Sequence, residues 1–550
     1  MRKKKYLVTL VMVFVFMFSL ALFSQTGEDF SPEIQKAKNS IKGRMILSHV
    51  EFLASKYCRG RKTGTEGMDV AIRYIESVFK GIGVEPAGRA GSFKQTVYLE
   101  TVSLSDRIYL HIEEKKHGGK LVKKVRVEED FLPVSISAEK EVSAALVFAG
   151  YGITAPEHKY DDYKGIDARG KIVIALRYEP REKDESSPFN GRKLSKYAAL
   201  LSKIKNAQKH GAVGILFVTG PLNGDYRRPD SSGGTYWPCL YEERAKKTRK
   251  EDFKYLSFNP QTRISDEDFG VTIPAAAIDG RLCDSLLGKG RGLKNIQEQI
   301  DKTMKPTAFP LPNIKISIGI YFEKEPLSAY NLAARIEGSD PELKKEVVIV
   351  GAHYDHLGRN NRGQFYPGAD DNASGTAGVI ELARAFRDLE VKPKRTLLFL
   401  LFAAEEMGLL GSRYYAAHPI FPLDKTLAVV NMDMIGRNAV DQVSLLGRYQ
   451  YPDLYKIVEK INNKTANMDI NFNAEGSLRS SDHMPFMRNN VPVIYLNTGF
   501  HDQYHQPEDT AQRLLPEKME KIVRLVFLTL YRVAGLPPGT RLHKTEKNKK

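Results

Sequence analysis

The chain has 550 residues, of which 42% are hydrophobic and 27% charged, with a formal net charge of +17. That length exceeds one typical core, so about three domain-sized units are expected, and the composition excludes collagen-like and low-complexity classes. The positive charges are dispersed and not interleaved with aromatics, which argues against a single-strand nucleic-acid binder and for solvated surface. Three cysteines, Cys58, Cys239 and Cys283, cannot pair fully and show no CxxC spacing, so neither a disulfide scaffold nor a cysteine zinc knuckle is indicated. A single bridge such as Cys239 to Cys283 stays open.

Arg2, Lys3, Lys4 and Lys5 precede an apolar stretch over 6–23, the order of a secretory signal, with Ser19-Leu20-Ala21 as one small-x-small cleavage pattern. Export to the periplasm or the medium is expected. The apolar run also approaches bilayer-spanning length, so an uncleaved anchor is the alternative. Residues 41–83 read as two helices, HVEFLASKY and MDVAIRYIESVFKGIG, around a Gly- and charge-rich loop, CRGRKTGTEG. Strand-like alternation follows over 93–112. Between 130 and 309, short strands (AALVFAGY, KIVIALRY, AVGILFVTG, IPAAAI) alternate with Gly, Asp and Pro punctuation and one helix near 196–210. A polar loop over 220–254 holds the only tryptophan, Trp237. This stretch reads as a self-contained α/β insert, and GKGRG at Gly288 lacks the preceding strand a phosphate loop needs.

From 327 to 536, strands and helices alternate. SGTAGVIELARAFRDLE places Val379, Leu382, Ala383, Phe386 and Leu389 on one face, and PEKMEKIVRLVFLTLYRVAG does likewise between Pro516 and Gly535. The pattern predicts a mostly parallel sheet with helices on both faces. Its apolar runs EVVIVGAH, RTLLFLLFAAEE, TLAVVNMD and VPVIYLNTGF read as buried parallel strands. They lead into His353, into the adjacent Glu405 and Glu406, into Asp433 and toward His505, while Asp371 sits in GADDNASG. In an open α/β sheet, groups at the carboxyl ends of strands converge on one crevice. Two histidines and three carboxylates suit a metal site, and a two-metal site further needs one shared carboxylate. Singly, each residue has a plainer explanation: a strand-end core histidine for His353, a helix cap for Asp371, a loop acid for Asp433. Asp355, two residues after His353, is placed to accept the other imidazole N–H.

At these residues the chain resembles the co-catalytic dizinc aminopeptidases of the bacterial leucine-aminopeptidase type, with glutamate carboxypeptidase II and the non-catalytic transferrin receptor as more distant relatives. The shared pattern is HxD at His353 and Asp355, DNxSG at Asp371, EE at Glu405 and Glu406, Asp433 of NMDMIG and His505 of YHQPEDT. It covers 327–536 in order. HVEFLASKYCRGRKTGTEG looks like the N-terminal helical piece of larger members, and AGYGITAPEHKYDDYKGIDARGKIVIALR resembles the protease-associated domain inserted in them. The implied plan is a signal or anchor over 1–25, an N-terminal helical and strand part of the peptidase domain over 30–128, a protease-associated insert over 130–309, the zinc peptidase domain over 327–536 and a basic tail over 537–550.

The resemblance further implies two zinc ions, one held by His353, Asp371 and Asp433, the other by Asp371, Glu406 and His505. Asp371 then bridges; Asp370 rivals it on chemistry, and the DNxSG register selects Asp371. Glu405 is the implied general base acting on a zinc-bridging water, and Tyr504 matches a tyrosine that hydrogen-bonds the developing oxyanion in some members. His356 is assigned to shaping its loop, His483 of SSDHMPF to the border of the substrate pocket, and His501 to no ligand role. Of two glycosylation sequons, at Asn372 and Asn463, the first falls inside the metal loop. Acids beside the metals favour the free amine of a peptide substrate, so the expected activity is that of an exported dizinc aminopeptidase, without nucleic-acid partners. The alternatives are a carboxypeptidase of the same fold, for which Arg479 alone makes no case, a single-zinc glutaminyl cyclase, and a non-catalytic receptor-like binding protein.

Overall fold

The computed structural model describes residues 30–116, 119–127, 129–191, 194–223, 261–265, 269–288, 290–360, 363–471 and 481–542. The expected signal segment, Trp237, Cys239, Arg479 and most of the basic tail lie outside the described residues. Among the described residues no helix is long and apolar enough to cross a membrane. The chain divides into two compact units, one formed by residues up to Val97 together with Ala329 onward, the other by Tyr98–Ser328.

The first unit begins with α1 (Pro32–Ser40), α2 (Gly43–Leu53) and α3 (Glu66–Ile82). Ser31 caps α1 by accepting from the Ile34 N–H, with Pro32 pre-set for the first turn. In α3 the apolar positions Met68, Ala71, Ile72, Ile75 and Phe79 recur at helical spacing and are all buried. The helix stops at Gly83, whose φ of +78° is the left-handed cap that glycine adopts most cheaply.

The central sheet contains β1 (Phe322–Ile336), β2 (Val347–His353), β3 (Thr396–Phe402), β4 (Thr426–Met432), β5 (Gln442–Leu446), β6 (Asp469–Asn471) and β7 (Val493–Asn497). Their order is β1-β3-β2-β4-β7-β5-β6. The four inner strands β3, β2, β4 and β7 run parallel, while β1 and β5 pair antiparallel to their inner neighbours. Every residue of β2 and β3 is buried, which explains why these strands read as unbroken apolar runs. The chain passes from β2 to β3 on one side, then returns to β4 on the other. That reversal is the switch point beside which α/β sheets place their ligands.

Between the strands lie α4 (Gly375–Arg387), α5 (Leu410–Ala417), α6 (Pro452–Lys464) and α7 (His483–Arg488), and α8 (Pro516–Ala534) follows the last of them. The apolar face expected on α4 is buried, but so is almost all of the helix, because α2, α3 and α8 pack around it. Two-sided burial explains its small residues: a Cβ at Gly378 would come within 3.1 Å of both Met432 and Val523.

The second unit has an eight-stranded sheet in the order Gly119–Val125, Tyr109–Lys116, Ala308–Ile320, Lys140–Ala149, Ile172–Leu176, Gly214–Val218, Ala275–Ile278, Phe131–Pro133. The four strands from Lys140–Ala149 to Ala275–Ile278 are parallel and apolar, and separate clusters centred on Leu216 and Phe217 form the core. The compact unit runs further than the insert expected over 130–309. Tyr109–Lys116 pairs with Ala308–Ile320, and Gly119–Val125 pairs in turn with Tyr109–Lys116, so residues before 130 complete this core.

Candidate metal centre

Four strand ends deliver the candidate residues. His353 terminates β2, Glu405 and Glu406 follow β3, Asp433 follows β4, and the segment after β7 carries Tyr504 and His505. Asp371 lies in an irregular turn, Ala369–Ser374, that opens α4 and contains a cis peptide bond between Asp371 and Asn372. Gly368 enters that turn at φ +57°, and a Cβ there would meet the Asp371 carbonyl oxygen at 2.3 Å and the His356 ring at 2.5 Å. Only glycine fits.

The two oxygens of Asp371 face two different groups. Oδ1 lies 3.3 Å from His353 Nε2, which is also 3.3 Å from Asp433 Oδ1. Oδ2 lies 3.1 Å from His505 Nε2, which is 3.3 Å from Glu406 Oε2. Nδ1 of His353 sits 3.3 Å from the Asp355 carbonyl oxygen, an arrangement that places the proton on Nδ1 and turns the Nε2 lone pair toward the carboxylates. Nε2 of His505 is buried, yet among the described residues no well-angled hydrogen bond satisfies it. An open nitrogen among convergent carboxylates, with N and O donors only, fits divalent zinc. Ligand atoms of His353, Asp371 and Asp433 lie within 4.8 Å of one another, as do those of His356, Asp371 and Glu406.

Asp355 is fully buried, but its carboxylate is 3.8 Å from His353 Nδ1, beyond hydrogen-bonding distance. It instead accepts the backbone N–H of Glu405 at 3.0 Å and of Glu406 at 3.3 Å. It therefore fixes the turn bearing the glutamate pair. Asp370 points away from the shared space, its Oδ1 accepting from the Gly436 N–H at 2.7 Å. Asn372 is buried, with its amide bonded to Met432, Gly375 and Met434, which leaves nothing for a glycan to reach.

A model of peptidase family M28 matches residues 331–530. Residues 331–530 are an M28 peptidase domain. A putative zinc metalloprotease of Saccharomyces cerevisiae is 22% identical over 527 residues, covering 92% of this chain and 57% of that protein. An aminopeptidase of Bacillus subtilis (strain 168) is 29% identical over 200 residues, covering 34% and 41%. An uncharacterized protein of Escherichia coli (strain K12) is 31% identical over 221 residues, covering 34% and 66%. The chain thus spans less than two thirds of the length of each of these three relatives. An aminopeptidase from Aneurinibacillus sp. strain AM-1 shares the fold, with a TM-score of 0.52 at 19% identity, covering 91% of this chain and 96% of that one.

Electrostatics divide the acids of the M28 domain into two kinds. Burial alone would raise Asp371, but contacts with His353 and His505 outweigh it and hold the carboxyl well below its ordinary range. Burial and Asp371 likewise press Glu406 upward, and His356 and His505 reverse this to about 2. His505 in turn rises to about 10, because Asp371 and Glu406 overcome its burial. Glu405 goes the other way. Burial lifts it well above a normal glutamate, and Asp482, Glu406 and Asp433 add to the lift against the pull of His353. Asp371 and Glu406 are therefore held ionised, while the neighbouring Glu405 is held receptive to a proton.

A cavity of about 410 Å³ opens over these residues and is lined on its far side by Met434, Ser444, Asn471, Tyr495, Asn497 and Phe500. Tyr504 also lines it, stacked on the His505 ring with centroids 3.8 Å apart. Burial and the nearby acids raise the Tyr504 hydroxyl far above its ordinary range, so it stays protonated.

Several residues of the M28 domain site escaped the sequence reading. Nδ1 of His356 lies 2.7 Å from Glu406 Oε1, so this histidine steadies a candidate ligand as well as its own loop. Asp482, fully buried, raises Glu405, whereas SSDHMPF drew attention only to His483, which stacks on Tyr495. Arg61 and Asp509 hold the Asp371 turn, and nothing in sequence spacing marks Arg61. His501 Nε2 is 3.4 Å from Asp370 Oδ2, outside the metal groups.

Proposed function

We propose that the chain is an exported dizinc aminopeptidase that removes N-terminal residues from peptides. The observation that carries this reading is the division of Asp371, with one carboxylate oxygen turned to His353 and Asp433 and the other to His505 and Glu406. His353, Asp371 and Asp433 would hold one zinc, and Asp371, Glu406 and His505 the other. Bound zinc would polarise the scissile carbonyl and make water a better nucleophile. Glu405, raised by burial but outside both ligand sets, takes a proton on its carboxylate and returns it to the departing amine. The Tyr504 hydroxyl donates to the carbonyl oxygen as negative charge develops there. Asp371, Glu406 and Asp433 surround one end of the cavity with negative charge, which favours a substrate ammonium group. No Lys or Arg lines the cavity among the described residues, and a terminal carboxylate would need one. Export rests on the basic and apolar N-terminal sequence, and a protease-associated role for the insert rests on resemblance.

The test is a panel of aminoacyl substrates beside N-blocked peptides and peptides free only at the C-terminus, run with metal analysis. Two zinc per chain and cleavage restricted to free N-termini are expected. Release of C-terminal residues from N-blocked peptides would replace this reading with a carboxypeptidase. Binding of one zinc with cyclisation of N-terminal glutamine would replace it with a cyclase.

A further inference from the structure

The geometry points to Arg61 and Asp509 as a paired clamp that shapes the bridging-aspartate turn for metal before any metal arrives. Arg61 lies in the loop between α2 and α3, at φ +49° and with no exposed surface. Among the described residues its guanidinium has no carboxylate partner within hydrogen-bond reach. It spends its donors on backbone carbonyls: Nε on Tyr354 at 2.8 Å, Nη1 on Leu53 at 2.7 Å and Pro367 at 2.6 Å, and Nη2 on Gly368 at 2.8 Å. Tyr354 follows His353 directly, and Pro367 and Gly368 lead into Asp371. One planar fork therefore fixes two ligand-bearing segments against α2.

Asp509 completes the grip from the opposite end of the peptide polarity. Its carboxylate accepts the N–H of Asp370 at 3.1 Å through each oxygen, and the N–H of Asp371 at 3.1 Å through Oδ2. Its own carbonyl accepts the Ala369 N–H at 3.2 Å. Asp509 lies four residues after His505, so the same side chain ties the bridge to the segment carrying another candidate ligand. The cation takes the carbonyls entering the turn and the anion takes the amides within it. Burying both charges is costly, and a turn merely in need of hydrogen bonds could have met that need with neutral groups.

The loop bearing Arg61 is itself seated by its backbone. Gly358 N–H donates to the Gly60 carbonyl at 2.9 Å and His356 N–H to the Arg61 carbonyl at 3.2 Å. Gly60 has φ +75°, and a Cβ there would strike the Gly358 oxygen at 2.2 Å. The N-terminal helical piece is thus part of the site's frame.

This inference rests on the metal reading above, and the experiment separates the two. Arg61→Lys keeps the charge but cannot span four carbonyls; Asp509→Asn keeps the shape but replaces one acceptor with a donor. The control is Arg395→Lys. Arg395 is another fully buried arginine of this unit, bonded to the carbonyls of Ala534 at 3.2 Å and Pro537 at 3.2 Å and to Glu346 at 2.7 Å. Each full-length variant is stripped with chelator, checked for folding by thermal unfolding and titrated with zinc against a competing dye. Arg61→Lys and Asp509→Asn should weaken zinc binding by about 10–100-fold, with kcat restored at high zinc, while Arg395→Lys lowers Tm and leaves zinc binding unchanged. If Arg61→Lys does not fold, Asp509→Asn decides. Wild-type zinc affinity in a folded clamp variant, or equal weakening in Arg395→Lys, would overturn the clamp. Failure of the wild-type protein to bind zinc would overturn the metal reading instead.

Discussion

Two clusters of buried charge, one in each unit, are built in opposite ways. In the inserted unit, Asp162 is fully buried and accepts from the N–H groups of Tyr151 and Ile153 at 3.0 Å each and from the Tyr160 hydroxyl at 2.9 Å. Lys203, also buried, donates to the carbonyls of Tyr151 and Leu176. Their partners are backbone groups and the Tyr160 hydroxyl, and neither side chain leaves a polar atom unpartnered. At the candidate metal centre of the M28 domain, carboxylates and imidazoles face one another, and among the described residues nitrogens such as Nε2 of His505 are left without a well-angled partner. Saturated burial holds a fold; unsaturated convergence waits for a ligand. This difference separates structure from function here more sharply than burial or charge alone.

Glu405→Gln should break the functional side hardest. A fall in kcat of about 10³-fold or more is expected for loss of the proposed general base, with zinc content unchanged because Glu405 lies outside both proposed ligand sets. Asp371→Asn should also abolish turnover, but through loss of metal, so metal analysis beside kinetics distinguishes the two. If Glu405→Gln kept near-normal turnover, the assignment of the base would be wrong.

Lys203→Met is the matching cut on the structural side. Leaving the buried Tyr151 and Leu176 carbonyls without the Lys203 donor should cost about 1–3 kcal/mol for each, read as unfolding of the inserted unit. The variant should also change the pH profile. Burial raises Asp162, so the stability held by its neutral form is present below its ordinary value near pH 4 and is lost as pH rises toward neutrality. Burial lowers Lys203, so its contribution is present above about pH 10.5 and is lost as pH falls toward neutrality. Lys203→Met should remove the alkaline limb and leave a stability that falls through the neutral range. Denaturant unfolding at several pH values checks both points, and an unchanged alkaline limb would mean that Lys203 is not its source.

Much of the functional side was legible because parallel strands buried on both faces spell themselves out as apolar runs. EVVIVGAH and RTLLFLLFAAEE announce both a strand and the acid or histidine at its end. The frame around them was not legible. Arg61 sits just over 300 residues before the turn it holds, in a Gly- and charge-rich loop whose spacing points to no partner. The role of Asp355 was legible only in part: its spacing from His353 marks it as a supporting residue, but whether it serves the imidazole or the Glu405 turn depends on distances no sequence contains. Alternation over 93–112 showed strands without showing which sheet they join, because strand partners are set by tertiary packing.

A smaller effect is expected at Tyr504. Tyr504→Phe keeps the ring stacked on His505 and removes one hydroxyl, so kcat should fall by about 10²-fold with KM little changed. An equal rise in KM would instead make Tyr504 a binding group.

The smallest expected effect is the closest test of the contrast between the units. Ser444 is buried and donates to Asn471 Oδ1 at 2.6 Å, yet both residues line the cavity. Away from the ligand cluster, no charged residue lines that wall among the described residues, so the first residue of the substrate should be uncharged. Ser444→Asp would place a carboxylate there with no cation beside it. In the inserted unit an unmatched charge would only destabilise; here an incoming lysine side chain can neutralise it. The ratio of kcat/KM for lysyl to leucyl substrates should rise by about 10-fold, the size of one modest pocket contact. A rise confined to the lysyl substrate would make this wall the seat of first-residue specificity. A uniform loss across substrates would mean that the charge is felt only as destabilisation, and the contrast between the units would not extend to this wall.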